Sequence, residues 1–100
     1  MILKNFRSYQ MALDLYRKVE KLKAPHYFSD QIKRAALSTV LNLSEGTSKA
    51  SRKEKARFYN IALCSHREVT ACLDILQRED LLKEADGLSA LIYKLWTSQL

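Results

Sequence analysis

Turn-forming residues are almost missing from this 100-residue chain: Gly46, Gly87 and Pro25 are its only glycines and its only proline. An all-β domain needs such residues at nearly every reversal, so their scarcity excludes sandwiches and barrels and favours long helices with few connections. Cysteine is equally sparse. Cys64 and Cys72 stand in one helical stretch, about 12 Å apart along its axis, which is too far for a disulfide. No Cys-x-x-Cys pair occurs, and free, buried thiols fit a reducing cytoplasm. No apolar run approaches a membrane span. The opening MILKNFRSYQ lacks the apolar stretch of a signal peptide. The expected setting is cytoplasmic, without membrane.

What remains is ordinary globular material. A hydrophobic fraction of 47% is too high for a disordered chain, and the length suits one domain, residues 1–100, with a small core. Seventeen Lys and Arg face eleven Asp and Glu, for a net charge of +6. Residues 74–100 are mildly acidic and the body before them is basic. Such a balance suggests an anionic partner, and RNA or DNA is the commonest; solubility alone is the plainer reading.

Apolar spacing predicts four helices. The first runs from Ser8 to Lys23, with Ala12, Leu15, Tyr16, Val19 and Leu22 as its stripe and Pro25 as its stop. The second runs from Asp30 to Glu45, capped by Ser29, stapled by Phe28 and ended by Gly46. Ser51-Arg52-Lys53-Glu54 reads as a capping box that opens a third helix reaching Gln77. Its apolar residues form three stripes, so most of its sides are expected to be covered. The fourth spans Leu82 to Ser98, with Gly87 inside it. Short connections between sequential helices imply an antiparallel up-down-up-down four-helix bundle, an all-α fold.

The densest information lies between Asp30 and Glu68. Gln31, Arg34, Ser38, Asn42 and Glu45 recur at steps of three and four, on one helix face. An antiparallel pairing with the third helix would oppose Arg34 to Glu68, Asn42 to Asn60 and Glu45 to Arg57. The expected result is a partly buried polar seam of Arg34, Ser38, Asn42, Glu45, Asn60 and Glu68. Such a seam fixes helix register; a ligand groove is its functional alternative. Beside it lies a basic hinge of Lys49, Arg52, Lys53, Lys55 and Arg57, at the start of a helix whose free amides also attract anions. Together these groups could hold a phosphate backbone without reading bases; a solvated helix start is the plain reading. Arg17, Lys18, Lys21 and Lys23 form a second basic group where cations suit a helix C-terminus.

Catalytic chemistry has little to work with. His26 and His66 belong to no His-Glu-x-x-His motif and do not sit at metal-ligand spacing with cysteine. Cys64 and His66 point to different sides of their helix. Carboxylate metal bundles need Glu-x-x-His motifs that are absent, and there is no glycine-rich phosphate loop. The expectation is a protein that is not an enzyme and takes no cofactor or metal.

DQIKRAALSTVLNLSEG, the basic linker after it, Phe58 with Ala62, and Ser65 with Glu68 resemble the four-helix bundle family of 23S rRNA intervening-sequence proteins. The matching positions are Gln31, Arg34, Ala35, Ser38, Asn42, Glu45, Gly46, Phe58, Ala62, Ser65 and Glu68. The opening FRSYQMALDLYRKV is similar to the family's aromatic-rich first helix. The resemblance implies a cytoplasmic bacterial protein and a ring-like homopentamer without an established activity. It also implies kinship with the accessory variability protein of diversity-generating retroelements, a branch that works with nucleic acid and a reverse transcriptase. From these, the expected function is non-enzymatic binding of nucleic acid by an oligomer. The alternative is a structural or interaction module, such as an accessory subunit for a reverse transcriptase.

Overall fold

A computed structural model describes residues 6–100. The signal-peptide reading of the chain start falls partly on residues 1–5, outside the described residues. The described residues form four helices and no strand: α1 Arg7–Glu20, α2 His26–Ser48, α3 Arg52–Ile75 and α4 Glu79–Thr97. Each helix packs on its chain neighbour, and α1 closes the ring of contacts against α4, which makes a four-helix bundle. The longest dimension is 41 Å, close to the roughly 36 Å that the 24 residues of α3 span at 1.5 Å each.

Helix boundaries differ from expectation for identifiable reasons. α2 begins at His26 rather than Asp30. The Pro25 carbonyl accepts from the Phe28 and Ser29 amides at 3.0 and 2.9 Å, so the helix is under way before Ser29, which caps nothing. Phe28 lies inside the first turn and packs on the core, four residues ahead of buried Ile32. α4 likewise starts early, at Glu79, with Glu79 and Asp80 in its first turn, where carboxylates suit the dipole. α1 stops at Glu20, and the chain tightens so that Leu22 is still buried.

Gly46 was expected to end α2. Instead α2 continues to Ser48 through Gly46, whose φ is not positive. The glycine is needed for space: a β-carbon there would overlap the ring of buried Tyr59 from α3. The α3 cap is half of the expected box. The Ser51 side chain accepts from the Glu54 amide at 3.1 Å, while the Glu54 carboxylate turns to Arg57 at 3.2 Å. At the other end of α3, Gln77 adopts φ 58°. The Arg78 amide donates to the Leu73 carbonyl and the Gln77 amide to that of Asp74, both at 3.0 Å. This is a Schellman closure with glutamine where glycine is usual.

The core runs the length of the bundle: Leu15 and Val19 from α1, Ile32, Val40 and Leu43 from α2, Leu63, Val69 and Leu73 from α3, and Leu88 and Ile92 from α4. The expectation that α3 is covered on most sides does not hold within the single chain. Its third stripe, Ile61, Cys64, Ala71 and Ile75, faces outward.

Candidate nucleic-acid interface

The contact between α2 and α3 is polar at its centre, with different partners from the expected ones. Ser38 Oγ and Ser65 Oγ share a hydrogen bond of 2.7 Å. The Asn42 amide donates to Ser38 Oγ at 3.1 Å and to the Ser38 carbonyl at 2.8 Å. Ser38 is level with Ser65, and Asn60 lies on the outward side of α3, exposed instead of facing Asn42.

The charged pairs of the seam are corrected too. Arg34 pairs with Asp30 one turn away at 3.0 Å, its side chain 78% exposed. Glu68 accepts from Gln31 at 2.5 Å. Glu45 pairs with Lys49 at 3.6 Å, and Arg57 with Glu54. Among the described residues no ion pair joins α2 to α3. The physical reason is desolvation: burying an ion pair costs several kcal/mol per charge, so the charges stay outside in local pairs. Neutral hydroxyl and amide groups occupy the partly buried seam.

The basic hinge is a rim where α2 ends and α3 begins. Arg52, Lys53 and Arg57 are exposed, and Lys49 and Lys55 half-buried. Several of these cations bind the protein itself. Lys55 Nζ donates to the Thr47 carbonyl at 3.1 Å and the Gly46 carbonyl at 3.4 Å, binding acceptors at the end of α2. Arg52 donates to the Ser98 carbonyl at 2.7 Å, closing the end of α4 in the same way. Phe58 lies 5.1 Å from the Lys49 ammonium and 4.4 Å from the Arg57 guanidinium, within the range of cation–π attraction. Arg52, Lys53 and Lys55 have no carboxylate partner among the described residues. The rim therefore keeps unneutralised positive charge beside the α3 amides. The second basic group, Arg17, Lys18, Lys21 and Lys23, is exposed around the end of α1, with Lys18 drawn to Glu84 of α4.

The titratable groups inside the bundle serve the fold. His66 is fully buried, its Nε2 2.7 Å from the Ala85 carbonyl of α4. A carbonyl only accepts, so Nε2 carries the proton. Burial pushes the imidazole below its ordinary pKa, against the opposing pull of the Ala85 bond and of Asp86. Burial raises the Tyr59 phenol, and burial with the Glu68 charge raises the Cys72 thiol. Among the described residues no group of three His, Cys, Asp or Glu is placed to hold a metal, and no helix is long and apolar enough to cross a membrane.

Residues 4–95 match the family described as 23S rRNA-intervening sequence protein. The chain belongs to that family. In this member the positions that resemble the family pattern gather where α2 meets α3. Ser38, Asn42 and Ser65 form the central seam, Gln31 and Glu68 bridge it, Gly46 admits Tyr59, and Phe58 receives two cations. No curated protein and no solved structure matched the chain.

Sequence reasoning missed the carbonyl clamps of Lys55 and Arg52 and the His66–Ala85 bond. A backbone carbonyl leaves no mark in a sequence, so nothing pointed to these partners. The cation pair on Phe58 had a faint signal, since Arg57 and Phe58 adjoin a basic linker.

Proposed function

We propose that this intervening-sequence protein is a non-enzymatic, cytoplasmic helical-bundle protein that holds nucleic acid by its phosphate backbone at the α3 rim. The observation that carries this reading is the set Arg52, Lys53 and Lys55: adjacent cations without carboxylate partners at a helix N-terminus. Arg52 has further N–H donors beyond the one given to Ser98, and a guanidinium suits phosphate. Contacts of this kind position a partner without specifying bases.

An up-down-up-down order and a ring-like homopentamer complete the proposal. The order is supported by contacts in which early residues of one helix meet late residues of the next, such as Gln31 with Glu68 and Arg52 with Ser98. Assembly is supported by apolar side chains on the outside of α2 and α3: Leu37 is 41% exposed, Leu41 54%, Ile61 37% and Ile75 68%. A ring would repeat the rim and convert weak contacts into avidity. Kinship with the retroelement accessory branch rests on the resemblance. A second reading, an interaction module such as an accessory subunit for a reverse transcriptase, is favoured by the intramolecular work of Lys49, Arg52, Lys55 and Arg57.

The test is a salt titration of labelled structured RNA and duplex DNA against the parent and an Arg52→Gln/Lys53→Gln variant, which leaves the Lys55 clamp intact. Affinity that falls steeply with salt, with a shallower slope in the variant and no base preference, is the expected result. Identical slopes would move the site, first to the end of α1. Absence of binding at low salt would favour the interaction module.

A further inference from the structure

An aromatic pair stands near the end of α4, which Arg52 of the rim reaches. Tyr93 and Trp96 lie three residues apart on one face of α4, their rings edge to face at 5.9 Å and 71°. Trp96 is half-buried and packs on the core. Tyr93 is 52% exposed, so the ring that Trp96 steadies presents much of its surface to water. Tyr93 lies five residues and Trp96 two residues before Ser98, whose carbonyl receives Arg52 from the start of α3. Exposed Lys94 adjoins Tyr93 in sequence. The rim and the aromatic pair therefore share the end of the bundle where α3 starts and α4 stops.

We propose that Tyr93, held by Trp96 beside Arg52, is a stacking platform for an unpaired base, which makes single-stranded nucleic acid the preferred ligand class of the rim. This rests on the rim reading above and adds to it. Cations that track a backbone, with an aromatic face for successive bases, are the usual means of binding single strands without sequence preference. Bases inside a duplex are stacked on each other and offer no free face to Tyr93.

Trp96 is the only tryptophan, so its emission reports on this place without a label. The experiment titrates the intact protein at low salt with an oligouridylate of about twelve nucleotides, an oligothymidylate of that length, and a matching duplex. Fluorescence is read together with anisotropy of labelled strands. Both single strands are expected to quench Trp96 and to bind more tightly than the duplex. Tyr93→Leu, which keeps bulk at an exposed position, should weaken single-strand binding by at least about fivefold and leave duplex binding unchanged. Tyr93→Phe should retain parental affinity. Equal binding of single strands and duplex, or parental single-strand affinity in Tyr93→Leu, overturns the platform and leaves the rim reading standing. Failure of every nucleic acid to bind the parent at low salt overturns both.

Discussion

The inner and outer faces of α3 are built from similar residues and meet opposite fates. Tyr59, Leu63, Val69 and Leu73 on the inner face are nearly inaccessible to water. Ile61, Cys64, Ala71 and Ile75 on the outer face are exposed. Apolarity alone does not separate the two. Charge does: the outer row also includes Arg57 and Glu68, whereas the inner row has no permanently charged residue. The inner polar group, His66, is neutral and bonded to a carbonyl. The comparison teaches that one helix can supply the core of its own bundle and still carry a second apolar surface with charges spaced along it.

The sharpest way to break this contrast is to truncate one residue from each face. Leu63→Ala should destabilise the protein by about 2–5 kcal/mol, through lost burial and the cavity left behind. Ile75→Ala should leave the single bundle nearly unchanged, because its side chain is 68% exposed. Chemical denaturation of both variants measures the difference. Equal losses would mean that the outer face is covered in solution, and light scattering at micromolar concentration would then reveal the assembly.

A smaller effect is expected where α2 touches the inner face. Gly46→Ala places a methyl group on the Tyr59 ring. Tyr59 is buried and has little room to retreat, so the strain should cost about 1–3 kcal/mol. This would appear as a lower melting temperature with unchanged helical signal at room temperature. A stabilised variant would show instead that the glycine was a weak helix residue and that Tyr59 repacks freely.

The mildest test is pH. Burial holds His66 below its ordinary value of 6.5 in the folded protein. As pH falls through that value, the unfolded chain takes up a proton that the folded chain refuses, so stability drops with acidity. Above it both states are neutral and this contribution to the slope vanishes. Melting temperature should therefore decline below about pH 6.5 before the carboxylates titrate, and His66→Gln should flatten that part of the profile. A parental profile with no slope between pH 7 and pH 5 would contradict the burial of a neutral imidazole.

Much of the architecture was legible because it is written in local chemistry. The poverty of glycine and proline, the three-and-four spacing of Leu15 and Val19 or of Leu88 and Ile92, and the Ser51 cap each depend on residues within a turn or two. Four helices follow from such signals. Polar spacing also picks out Ser38 and Asn42, which lie at the α2–α3 contact with Ser65. The pairing across that contact was not legible. Arg34 had both Asp30 and Glu68 as possible partners, and periodicity within one helix does not say which of its sides turns toward a given neighbour. That choice decides whether Asn60 meets Asn42 or water.

The basic rim divides in the same way. Its cations are plain in the sequence, and their position at a helix start follows from the Ser51 cap. Which of them remain available to a partner was settled by packing: Lys55 is held by carbonyls of α2 and Arg52 reaches α4, while Lys53 stays exposed. The sequence by itself determined the helices, the charge and the polar stripe, since these depend on side-chain chemistry and the 3.6-residue turn. Tertiary structure alone decided the register, the buried histidine's partner and the covered face of α3, because each depends on how backbones far apart in the chain are brought within a few ångströms.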